Sequence, residues 1–99
     1  MTVEVIDTLV DLFPTIIEVL PEKFDSHQFI LKLAQRYQQE YVVALYFYSY
    51  SENPFQIVHG QIAKRLRNLE NLVVYDGETD SSDIFGQVNS AACWEKVNA

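Results

Sequence analysis

The side chains able to do bond-making chemistry are few: His27, His59 and one cysteine, Cys93. A zinc site needs three or four Cys, His or carboxylate ligands at set spacings. The chain has no CxxC, HExxH or His-x-His, so neither a metal nor a cofactor is expected. A nucleophile pair of Cys93 with His59 can be drawn. It requires both groups within hydrogen-bond reach and a third group to orient the base, which spacing alone does not supply. The simpler expectation is that Cys93, beside Trp94, is a small core residue and that His59 is partly buried and structural.

Phosphate chemistry fares no better. Gly60, Gly77 and Gly86 are scattered, and neither GxGxxG nor GxxxxGK occurs. The acids of DGETDSSD, residues 76–83, lack the calcium-loop spacing that ends in a bidentate glutamate. They read as solvated carboxylates. The expectation is therefore a protein that is not an enzyme.

Composition sets the remaining bounds. The chain has 99 residues, 48% of them hydrophobic, and a formal net charge of -7. That suits one globular domain over residues 1–99, burying about two thirds of its unfolded surface without metal or disulfide support. The acidic balance argues against a simple nucleic-acid coat or a polybasic membrane binder. Residues 1–25 carry net -5, residues 26–69 net +3 and residues 70–99 net -5. No signal peptide and no apolar run of bilayer length is read, and a lone cysteine fits a reducing compartment, so a cytoplasmic protein is expected.

The elements that must position these groups follow from periodicity. Ile6, Leu9, Val10, Phe13, Ile16, Ile17 and Leu20 form one helical stripe over residues 1–21, with Thr2 as N-cap. Pro14 should kink or break it near residues 10–13, and Pro21 should end it. Through residues 3–20 this helix could pair with its own copy in a dimer. Residues 24–69 are a helical core. Asp25 and Gln28 make a capping-box pair, with Phe24 and Phe29 placed as a hydrophobic staple. Asn53-Pro54 marks a later helix start, and Phe55, Val58, Ile62, Leu66 and Leu69 make its apolar stripe. Gly60, opposite the stripe, suggests a close backbone approach.

The stretch YVVALYFYSY, residues 41–50, reads two ways. Its β-branched and aromatic residues favour a strand, but nothing upstream breaks a helix. A buried helix over about 39–48 is favoured. The alternative is a buried strand, giving an α/β fold with a β-α-β unit at 41–75. Leu72 to Tyr75 reads as a strand, Asp76-Gly77 as a tight hairpin turn, residues 83–86 as a second turn or short strand, and residues 91–97 as a closing strand that buries Trp94. Residues 70–99 are then a hairpin, and the fold class is α+β, mainly helical, with a C-terminal β-hairpin.

This element order resembles the winged helix-turn-helix family, with residues 26–38, 39–49 and 54–69 as the helical triad and residues 72–97 as the wing. The resemblance lies in order, not in a sharp motif. It implies a reader face of Gln61, Lys64, Arg65, Arg67 and Asn68 for duplex DNA. The departure is electrostatic: Asp76, Glu78, Asp80 and Asp83 in the wing would oppose phosphate contacts. Such folds also serve protein contacts. The leading expectation is a regulatory protein-interaction module that meets a basic partner through those four acids, with Tyr46, Tyr48 and Tyr50 as an adhesive patch.

Overall fold

The computed structural model describes residues 5–97. It is an α+β fold in the order α1 (Val5–Val10), α2 (Phe13–Val19), β1 (Lys23–Asp25), α3 (Ser26–Arg36), α4 (Gln38–Phe47), α5 (Pro54–Leu66), β2 (Val73–Ser82) and β3 (Val88–Lys96). The three strands form one antiparallel sheet in the order β1-β3-β2. The β-α-β alternative is overturned, because residues 41–50 are helical up to Phe47 and no parallel pair exists among the described strands. The Thr2 cap lies outside the described residues.

The N-terminal stripe breaks where proline dictates. Pro14 stands in the first turn of α2, where its missing N–H has no intrahelical partner to lose. Asp11 and Leu12 form the connecting turn. The two short helices then lay Ile6, Leu9, Phe13, Ile16 and Ile17 into the core at full burial or close to it. The apolar stripe between residues 6 and 20 is thus largely occupied inside the chain.

Asp25 caps α3 in a reciprocal box: its carboxylate accepts from Gln28 N at 2.9 Å, and Asp25 N donates to Gln28 Oε1 at 2.9 Å. Phe24 and Phe29 stack with centroids 6.0 Å apart, and Phe13 meets Phe29 edge-on at 4.8 Å. The start of α3 is therefore fixed from both sides. Asn53 precedes α5 as expected, yet its side chain makes no capping bond; its carbonyl accepts from Ile57 N at 3.1 Å.

Two expectations about the hairpin change. Asp76-Gly77 is not its turn. These two residues sit opposite Cys93 alone, between the pairs Tyr75↔Trp94 and Glu78↔Ala92, and form a β-bulge. Gly77 takes φ +83°, a left-handed value that glycine adopts without steric cost. β2 runs on to Ser82, and the chain reverses at residues 83–87. There Asp83 Oδ1 accepts from Phe85 N and Gln87 N at 2.9 and 3.0 Å, Asp83 Oδ2 accepts from Asn89 Nδ2 at 2.9 Å, and Gly86 takes φ +82°. A carboxylate that gathers three donors closes this turn more firmly than Asp76-Gly77 could.

Cys93 is half-buried, not a core residue, because its neighbour Trp94 takes the inward side of β3 and alternation turns Cys93 outward. Gly60 marks no close approach: a β-carbon there would meet nothing within 4 Å.

Candidate functional site

α4 is apolar on every side, a pattern that normally signals complete burial. Only one face is covered. Tyr41, Ala44 and Tyr48, spaced at three and four residues, enter the core. The opposite face stays open: Val42 is 58% exposed, Val43 56%, Tyr46 78%, Phe47 54% and Tyr50 81%. Helical geometry lines Val42, Val43, Tyr46 and Phe47 up as one patch, and Tyr50 follows in the turn after α4. Val5 and Thr8 of α1 adjoin it beside Val43 and Glu40. Of the three tyrosines expected to form an exposed patch, Tyr46 and Tyr50 are open and Tyr48 is buried, while Val42, Val43 and Phe47 are open beside them.

The four acids do not act as one free surface. Asp76, Glu78 and Asp80 are exposed along β2. Glu78 accepts from Tyr75 Oη at 3.0 Å and from Ser90 Oγ at 2.9 Å, and these bonds hold its carboxyl below the usual range. Asp83 is engaged in the turn, and the backbone N–H of Gln87 is the largest cause of its lowered pKa.

The reader face is divided as well. Lys64 and Asn68 are exposed and Gln61 is half-buried. Arg65 pairs with Asp7 of α1, and Arg67 lies 4.3 Å over the Tyr75 ring. Two of the three cations thus have partners within the chain.

Both histidines meet at one place, which their spacing in sequence does not reveal. A cleft of about 480 Å³ lies between α3, α5 and the hairpin turn. His27 Nδ1 is 2.7 Å from Ser81 Oγ, which braces the hairpin against α3. His59 Nε2 is 2.5 Å from the Tyr41 hydroxyl. Desolvation lowers the pKa of His59 from 6.5 to about 4; Asp83 opposes this shift and His27 adds to it. Burial likewise raises Tyr41 to about 12. Both groups are neutral at pH 7, so the phenol, as the stronger acid, donates to Nε2. Phe55 and Phe85 meet edge-on at 4.9 Å, and the Phe85 ring lies 6.5 Å from that of His59 at an interplanar angle of 28°. The four-residue step from Phe55 to His59 was the one sequence signal for this grouping.

Cys93 lies elsewhere, in a shallow depression with Asp25 and Asp76. Partial burial and the carboxylates of Asp25, Asp76 and Glu78 push its thiol up, so it stays protonated at neutral pH. It is absent from the residues that line the cleft with His59. Among the described residues no group of three or more His, Cys, Asp or Glu could hold a metal ion, and no helix is long and apolar enough to cross a membrane. Comparison with protein-family models, curated proteins and solved structures finds no match.

Proposed function

We propose that this chain is a non-enzymatic protein-interaction module whose contact surface is centred on the outward face of α4. The observation that carries the reading is the contiguous exposure of Val42, Val43, Tyr46, Phe47 and Tyr50. An aromatic side chain offers roughly 150–250 Å², so three open aromatics and two valines present on the order of 500 Å² of apolar surface. That is the scale of functional patches on monomers and more than half of the roughly 800 Å² each partner contributes to a standard interface. Tyrosine and phenylalanine are also the residue types enriched at such contacts.

The patch carries no charge of its own. Acids stand at its margins, with Glu40 beside Val43 and Glu52 just beyond Tyr50. A second copy of the chain would bring a further -7 against the first. A different protein, with an apolar groove rimmed by Lys or Arg, fits better, with the apolar contact supplying affinity and the acidic rim orientation.

A photoreactive phenylalanine placed at position 46 in the intact protein tests this in cells of the source organism. One defined adduct with a different protein, lost when Phe47 and Tyr50 are replaced by Ser and not formed from position 64, is the expected result. No adduct from position 46, or only an adduct of twice the chain's mass, overturns it.

Duplex DNA reading by α5 is the second reading. It is supported by exposed Lys64 and Asn68 on the helix that leads into the hairpin. The internal pairing of Arg65 and Arg67 weakens it. A low-salt titration with duplex DNA that leaves the amide signals of residues 56–68 unmoved removes it.

A further inference from the structure

The cleft between α3, α5 and the hairpin turn has features that a solvent-filled groove does not require. Its size, about 480 Å³, falls within the range of small-molecule sites, roughly 300–1,000 Å³. Phe85 is 58% exposed and Phe55 37% exposed, and both line it. Neither belongs to the buried core. Phe85 nevertheless stands in a turn that Asp83 holds through three hydrogen bonds, one of them to the backbone N–H of Phe85 itself. An exposed aromatic ring is thus kept in a fixed place, edge-on against Phe55 at 4.9 Å, and the two rings together form one aromatic wall of the cleft.

Gly60 adds an independent observation. It sits in the interior of α5, where glycine costs about 1 kcal/mol relative to alanine. No neighbour forbids a side chain there, since a β-carbon would project into open space. Gly60 lines this same cleft. Its bare backbone leaves this part of the lining open, and helix packing gives no other reason for it.

The polar lining then selects the ligand. The cleft is lined by no lysine or arginine. Its one carboxylate, Asp83, already accepts three bonds. His59 is held neutral. Gln56 and Gln87, both exposed, are among the lining residues, and their side-chain amides, each both donor and acceptor, make no hydrogen bond within the described residues. Asn89 has committed its nitrogen to Asp83 and keeps its oxygen as an acceptor. An aromatic wall with amide-bearing residues at its edge and no lysine or arginine suits a flat, uncharged molecule with both donors and acceptors on its rim.

We infer that the cleft binds a small neutral heteroaromatic ring, packed against Phe55 and Phe85 and bonded at its edge by the amides of Gln56 and Gln87. This site is separate from the α4 face and stands or falls without it.

The test is an NMR titration of the intact protein with three flat probes: adenine, which is neutral at pH 7, benzoate as an anion and benzamidine as a cation. Adenine is expected to give saturable shifts at Gly60, Phe85 and Gln87, with both charged probes at least about tenfold weaker. Gly60→Leu fills the cleft while raising helix propensity, so it should abolish adenine binding without lowering the thermal midpoint. Phe85→Ala, at an exposed position, should weaken adenine binding in a protein that remains folded. Absence of saturable shifts with adenine, equal binding of the charged probes, or adenine binding unchanged in both variants overturns the assignment.

Discussion

The indole N–H of Trp94 donates to Ser26 Oγ at 2.9 Å in the interior, joining β3 to the first residue of α3. Trp94 is 1% exposed and Ser26 is the buried polar residue of the core. Its hydroxyl also lies 3.4 Å from the carbonyl of Ala92. A buried donor left without a partner costs about 1–3 kcal/mol. Ser26→Ala should therefore lower the free energy of unfolding by that amount, while Ser26→Thr, if accommodated, should retain part of it. Urea denaturation followed by the fluorescence of the single tryptophan measures both. An unchanged midpoint for Ser26→Ala would mean that the bond contributes nothing.

The Tyr41–His59 pair predicts an acid-sensitive fold. The folded state holds the His59 pKa near 4 against about 6.5 when unfolded. The unfolded chain therefore binds the extra proton between those values. Stability is fully present above about pH 6.5 and declines as pH falls toward 4. With partial exposure screening the effect, the loss should be on the order of 1–2 kcal/mol. His59→Gln, which cannot titrate, should flatten the profile between pH 6.5 and 4. Urea midpoints measured across that window decide the point.

The hairpin turn should depend on Asp83 more than on any other acid of β2 or its turn. Asp83→Ala removes the acceptor of three bonds, whereas Asp83→Asn keeps one carbonyl oxygen able to accept from Phe85 N and Gln87 N. The alanine variant should shift the urea midpoint down and broaden the amide signals of residues 83–89. The asparagine variant should recover most of the loss. Asp80→Ala, on the exposed strand, serves as the control and should do less than either.

The outward face of α4 should be dispensable for folding. Tyr46→Lys or Tyr50→Lys should change stability by no more than about 0.5 kcal/mol, as for surface positions generally. Tyr41→Ala, on the inward face, should cost about 3 kcal/mol or more. Thermal unfolding of the three variants separates the faces. A large loss from Tyr46→Lys would show that the patch already serves the fold.

Much of the architecture was legible before any coordinates. Local chemistry placed the break at Pro14, the box of Asp25 with Gln28 and the start of α5 at Pro54, because each depends on residues within a turn of one another. The hairpin was legible in outline, but its reversal was misplaced. Asp76-Gly77 and Asp83 to Gly86 are both good local solutions, and the choice falls to the strand pairing across β3.

The amino-acid order alone determined where the helices at Pro14, Asp25 and Pro54 begin, since capping and proline sterics act over a few residues. It also determined that catalytic side chains are scarce. Tertiary packing alone decided which side of α4 faces water, since both sides are apolar and only the placement of α1, α3 and α5 distinguishes them. It likewise decided that Arg65 and Arg67 meet Asp7 and Tyr75 at the surface, and that His27, His59 and Asp83 share one cleft. Those meetings join residues far apart in the chain, and no local rule constrains how distant segments approach.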